Sequence, residues 1–217
     1  MKKFLTLILI GIMMISSVSA ATENIPENES SQNGVLIQKT QLGQLYDMGI
    51  MKDVGEGPHQ NITRAQMAKI VVQTLNIPEF EIENTFLDVS KETDYANEIG
   101  IVQNLKIMCG YGNGLFMPDE DITYYEVVKT IVTMLGYEPL AQQKGGYHQG
   151  YFTVGNELGL VVYPAAEDKP ITKDDIAKIL IKAIDVPLMK QTSFGNSPKY
   201  QIMPEETIKR NYLGIND

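Results

Sequence analysis

Residues 62–77 read ITRAQMAKIVVQTLNI, and the same grammar returns without a gap at 122–137, ITYYEVVKTIVTMLGY, and at 171–186, ITKDDIAKILIKAIDV. Each stretch places an acid or amide three residues after a threonine: Gln66 after Thr63, Glu126 after Thr123, Asp175 after Thr172. That spacing is a capping box, in which the threonine oxygen accepts from a helix amide lacking an intrahelical partner while the third side chain reaches back. Three helix starts are therefore predicted. Lys69, Lys129 and Lys178 recur at one place inside them, and Pro78, Pro139 and Pro187 follow, where a helix does not easily continue. In the first of these helices Ala68, Val71, Val72 and Leu75 share a side and Gln66, Lys69 and Gln73 lie opposite, so the apolar face needs neighbours. One copy cannot bury it alone; three can.

Upstream of each capped helix lies a second apolar element, at 35–50, 95–108 and 151–161. Each ends alike, in Met48-Gly49-Ile50, Leu105-Lys106-Ile107 and Leu158-Gly159-Leu160, where glycine suits a left-handed helix end and Lys106 departs from it. Short, turn-rich connections then lead to the next Ile-Thr. The fold class that follows is mainly α, built of three helix-loop-helix repeats at 35–78, 79–139 and 140–188. Residues 1–20 carry Lys2 and Lys3, an apolar run and small residues up to Ala20, the pattern of a secretory signal peptide. Residues 21–34 are polar and acidic without apolar period and read as a flexible spacer, and 189–217 as an irregular or partly helical C-terminal tail.

Composition narrows the chemistry. The formal charge of −9 becomes −11 once Lys2 and Lys3 leave with the signal, which argues against nucleic acid as a partner. No stretch after the signal approaches the roughly 20 apolar residues of a membrane span. Cys109 is alone, so no internal disulfide forms, and it is expected as a small buried hydrophobe. With His59 and His148 as the only histidines, and no zinc, nucleophile-elbow or phosphate-loop motif, no catalytic residue, metal ligand or cofactor is assigned. Asp119 and Asp121 resemble the opening of a calcium loop, but Tyr124 stands where its glycine belongs.

The residue after each capping threonine is more informative: Arg64, Tyr124 and Lys173. A cation gains nothing from the positive end of a helix dipole. Its presence there suits a site that holds an anion jointly with free helix-start N–H groups, or else a solvated charge without a ligand.

Three further stretches carry a resemblance. Phe86-Leu87-Asp88-Val89, the run Gly112-Asn113-Gly114-Leu115-Phe116-Met117-Pro118-Asp119 with Ile122-Thr123, and Ile62-Thr63-Arg64-Ala65-Gln66 together resemble the S-layer homology domain family over about residues 35–188. The resemblance implies three repeats packed as a pseudo-threefold helical spindle that binds anionic, typically pyruvylated, secondary cell-wall polysaccharide in grooves between repeats. It implies glycan-binding roles for Arg64, Thr63, Asp88, Thr123, Tyr124, Thr172, Lys173 and Gly112. Arg64 alone keeps the family's arginine; Lys173 keeps the charge without the bidentate fork, and Tyr124 has neither. The expected protein is an exported, non-catalytic module of the bacterial cell wall or S-layer. The alternative is an exported interaction scaffold that has lost glycan binding and meets another surface protein through its tail or its spacer.

Overall fold

The computed structural model describes residues 39–78, 80–163, 167–195 and 198–216, all within the unit Gln38–Asp217. The expected signal and spacer, 1–20 and 21–34, lie outside the described residues. In chain order the elements are α1 (Gln41–Asp47), α2 (Arg64–Thr74), α3 (Ala96–Asn104), α4 (Tyr124–Met134), α5 (Glu138–Gln143), α6 (Gln149–Glu157), α7 (Lys173–Ala183), β1 (Leu188–Ser193), β2 (Lys199–Met203) and α8 (Ile208–Asn211). The described residues are mainly helical, with one two-stranded antiparallel sheet.

The three expected helix starts are α2, α4 and α7. Thr63, Thr123 and Thr172 cap them in extended conformation, accepting from the N–H of Gln66 at 3.2 Å, Glu126 at 3.4 Å and Asp175 at 3.3 Å. Gln66 and Glu126 reach back to the threonine N–H at 2.9 and 3.1 Å. Asp175, one methylene shorter, instead accepts from the Thr172 hydroxyl at 3.0 Å, so the third box differs from its expected form.

The segments entering these helices exchange main-chain hydrogen bonds around a closed circuit. Ile122 N–H donates to Ile62 C=O at 2.9 Å, Ile171 N–H to Ile122 C=O at 3.3 Å, and Ile62 N–H to Ile171 C=O at 3.3 Å. The first amide of each helix, which has no partner within its own helix, runs round the same circuit in the opposite sense. Arg64 N–H donates to Glu120 C=O, Tyr124 N–H to Lys169 C=O and Lys173 N–H to Gln60 C=O, each at 2.9 Å. The second amides are also taken, Ala65 by Pro118 C=O, Asp174 by Pro58 C=O and Tyr125 by an Asp168 carboxylate oxygen.

Helix contacts run the same way, α2 against α3, α4 against α6 and α7 against α1. Each capped helix thus covers its apolar face with the first helix of the following copy, and Ile62, Ile122 and Ile171 lie buried between them. The narrow stripe of Gln66, Lys69 and Gln73 stays partly exposed on α2, as its spacing predicts. The first helices end left-handed at Gly49, Lys106 and Gly159, with φ of 82, 58 and 73°. Lys106 takes this conformation without being glycine, because its N–H donates to Gln103 C=O and that of Ile107 to Val102 C=O, a closure that repays part of the strain.

Two features differ from the sequence reading. Pro139 does follow α4, but it sits in the first turn of a new short helix, α5, where a missing N–H costs nothing. The segment expected as an irregular or partly helical tail carries the short helix α8 but also forms the β1–β2 hairpin, which the expectation lacked. Met189 N–H donates to Leu135 C=O at 3.0 Å, Lys209 N–H to Ile184 C=O at 2.9 Å, and the Tyr137 hydroxyl to Pro187 C=O at 2.8 Å, while Ile208 is fully buried. Gly136 permits this close approach, since a Cβ there would stand 2.0 Å from Met189 O.

Candidate functional site

The side chains after the three capping threonines each enter the loop of the following copy. Arg64 is 4% exposed and aims its guanidinium into the 109–116 loop, donating from Nε to Phe116 C=O at 2.8 Å, from Nη2 to Cys109 C=O at 2.9 Å and from Nη1 to Glu126 at 2.8 Å. The rings of Tyr111 and Phe116 lie 4.6 and 4.8 Å from its central carbon. Lys173, 2% exposed, donates to Val54 C=O and Gly55 C=O and lies 5.3 Å from the Tyr46 ring centroid. The two cations cross-link copies by meeting loop carbonyls. Tyr124 does the same with opposite polarity: its buried hydroxyl accepts from Val162 N–H at 3.0 Å and Tyr163 N–H at 3.1 Å.

Neither sequence-based alternative for these residues describes this arrangement. The charges are not solvated, and the helix-start amides that an anion was expected to share are already bonded to neighbouring loops or to the capping threonines.

Asp88 has a comparable role. It accepts from Phe116 N–H at 2.8 Å and Met117 N–H at 2.7 Å, clamping a turn in which Met117 has φ of 60°. Burial alone pushes its pKa up, but the two amides and the nearby Arg64 outweigh that and hold the carboxyl below its ordinary value. Gly112, exposed and left-handed at φ 82°, turns the same loop. The structure therefore brings Arg64, Asp88 and Gly112 together around one loop. It leaves Thr63, Thr123 and Thr172 as helix caps, and Tyr124 and Lys173 at the two other cross-links.

Beside the Arg64 cross-link opens a groove of about 270 Å³, bordered by Arg64, Cys109, Tyr111, Glu126, Lys129 and Tyr147. Arg64 and Glu126 form its floor as a nearly buried ion pair, with side chains 5% and 14% exposed. The Tyr111 hydroxyl donates to the same Glu126 oxygen at 2.7 Å. Tyr111 and Tyr147 are each 50% exposed, and Lys129 Nζ lies 5.6 Å from the Tyr147 ring centroid. Burial, with Asp168 and Glu126 adding to it, pushes the Tyr147 hydroxyl up to about 12, so both rings present neutral phenols at physiological pH. Cys109 is exposed at the rim, a correction to its expected burial: it follows Met108 out of the core as the chain turns into the glycine loop.

A larger cavity of about 580 Å³ lies between residues 81–84 and the start of α3, lined by Glu81, Glu83 and Lys91. Two carboxylates against one lysine make it a poor place for an anion. Of the groove's residues, Lys129 is visible in sequence only as a recurring lysine and Glu126 only as the third residue of a capping box, and Tyr111 carries no signal of its own, because the loop folding that gathers them is not periodic.

The model of the S-layer homology domain matches residues 42–68 and 85–127, which contain Arg64, Asp88, Gly112 and Glu126. The chain is similar to the Middle cell wall protein of Brevibacillus brevis, 28% identical over 210 residues, 94% of this chain and 19% of that protein. It is similar to the Surface layer protein of Brevibacillus choshinensis, 24% identical over 222 residues, 99% of this chain and 20% of that protein. A Cell surface protein of Thermoanaerobacter kivui is 28% identical over 158 residues, 69% of this chain and 20% of that protein. The chain thus spans about a fifth of the length of these relatives.

Two variants test the cross-link. Arg64→Met keeps the bulk but leaves Glu126 and two loop carbonyls without their donor, and is expected to lower stability by about 3–5 kcal/mol in urea unfolding. Asp88 has a depressed folded-state pKa, so its contribution is present above the ordinary carboxylate pKa and is lost as pH falls through the folded value. Asp88→Asn is therefore expected to cost about 1–3 kcal/mol at neutral pH and to flatten the loss of stability that wild type shows below about pH 4.

Proposed function

The chain belongs to the S-layer homology domain family, and on that premise we propose that it is a non-catalytic module that anchors to the bacterial cell wall by binding anionic secondary polysaccharide, pyruvylated polymer being the expected form. Its place is the cell surface, in keeping with the cell-wall and surface-layer relatives. The repeats 35–78, 79–139 and 140–188 form a pseudo-threefold spindle; the closed circuit of Ile62, Ile122 and Ile171 and the helix contacts that follow it support this reading.

The observation that carries the function is the groove itself, where cations and two half-exposed tyrosines meet on a cross-linked frame. Aromatic faces suit sugar rings, and a local cation suits an anion on an acidic chain, because exposed charges beyond about 8 Å are largely screened at physiological salt. Net charge of −9 therefore does not oppose it.

A second reading keeps the scaffold without glycan recognition. Tyr124, uncharged at the place of Arg64, favours it for one of the three junctions. Its partner would be another surface protein, reached through 189–217, where Phe194, Tyr200 and Ile202 stand exposed.

Co-sedimentation of the chain lacking residues 1–20 with purified sacculi, before and after the secondary polymer is stripped, separates the readings. Anchoring predicts that the protein pellets with intact sacculi and stays in solution with stripped ones. Protein that stays in solution with intact sacculi contradicts anchoring and leaves the scaffold reading.

A further inference from the structure

We infer that Lys129, and not Arg64, is the group that meets the polymer's negative charge, and that the groove accepts one monoanionic sugar residue beside the Tyr147 ring; this rests on the groove being the polymer site. The helix-start amides beside Arg64 are spent on main-chain and capping bonds. The guanidinium is committed through Nε and both Nη atoms, held between two aromatic rings, and balanced by Glu126. It cannot turn toward a ligand without abandoning the cross-link between copies.

Lys129 is in the opposite condition. Of the three equivalent lysines, Lys69 is paired with Glu98 at 2.8 Å, and Lys178 with Asp174 and Asp175, both at 2.9 Å. Lys129 has no acid partner among the described residues, although it is half-buried on the groove wall. Counting back from the matching tails at Leu105 and Leu158, the place of Glu98 is taken by Tyr151, whose hydroxyl donates to Glu138 at 3.1 Å instead. The missing carboxylate leaves the ammonium over the Tyr147 ring with its donors open to the groove.

Charge then sets the ligand class. Among the lining side chains Arg64 and Glu126 cancel and Lys129 adds one positive charge, and the carboxylate of Asp168 acts on Tyr147 from outside the lining, so the groove suits no more than a single carboxylate or phosphodiester. At about 270 Å³ the groove falls below the roughly 300–1,000 Å³ of pockets for drug-sized ligands, room for a single sugar residue.

The test is the affinity of the protein for polymer released from sacculi and immobilised, with the thermal midpoint measured on every variant. Lys129→Met is expected to weaken binding about tenfold or more at an unchanged midpoint, as loss of one charge-assisted contact implies. Lys129→Arg retains most affinity, and Tyr147→Ala loses part of it. Lys69→Met and Lys178→Met lose ion pairs and some stability but bind as wild type. If wild type binds and Lys129→Met binds equally well, the inference falls while the anchoring reading stands. If wild type does not bind released polymer, both fall. A free pyruvylated monosaccharide and a sugar phosphodiester, used as competitors, distinguish the two sources of a monoanion; if neither displaces polymer that binds, the one-residue assignment is wrong.

Discussion

Everything in this structure hangs on the circuit through Ile62, Ile122 and Ile171. Each isoleucine gives its N–H to one of the others and accepts from the third. None of the three segments can satisfy its buried main-chain groups alone, and an unsatisfied buried amide costs about 1–3 kcal/mol. The circuit therefore makes the copies mutually dependent. The first and second amides of each capped helix extend the same dependence outward, and Arg64, Tyr124 and Lys173 carry it into side chains. Two of these fill loop carbonyls and one fills loop amides, so the position is kept as a cross-link even where its charge is lost.

That economy bears on where a ligand could bind. A helix start is an inviting place for an anion, but here its amides are consumed by folding. What remains for a ligand is the cleft beside the cross-link, floored by a neutralised ion pair and walled by tyrosines and one lysine. On the reading proposed for this groove, the structural cation Arg64 and the ligand-facing Lys129 are different residues of one lining, in a chain whose overall charge is negative.

Much of the scaffold was legible in sequence because it obeys local rules. Threonine with an acid or amide three residues on marks a helix start wherever it occurs, and the apolar spacing in 62–77 marks the buried face. The left-handed endings at Gly49 and Gly159 were readable for the same reason, and Lys106 shows that hydrogen bonding can hold that conformation without glycine. The β1–β2 hairpin was not legible, since most of its side chains stay exposed and its anchoring depends on main-chain bonds to Leu135 and on the bare surface of Gly136. Of the candidate site, the loop that joins Arg64, Asp88 and Gly112 was legible, and the other residues named with them, Thr63, Thr123, Thr172, Tyr124 and Lys173, lie at helix caps and at the other two cross-links. Motif reading located those residues but not what they do, because whether a cation faces solvent, a ligand or a carbonyl is decided by residues 45 or more positions away, such as Cys109 and Phe116.

The central claim is that the three Ile-Thr junctions form one cooperative unit. Native-state hydrogen exchange of the amides of Ile62, Ile122 and Ile171 tests it most directly. The account predicts that all three exchange only through global unfolding, with one shared opening free energy. An amide among them that exchanges through a local opening, at distinctly lower free energy than its two counterparts, would contradict it.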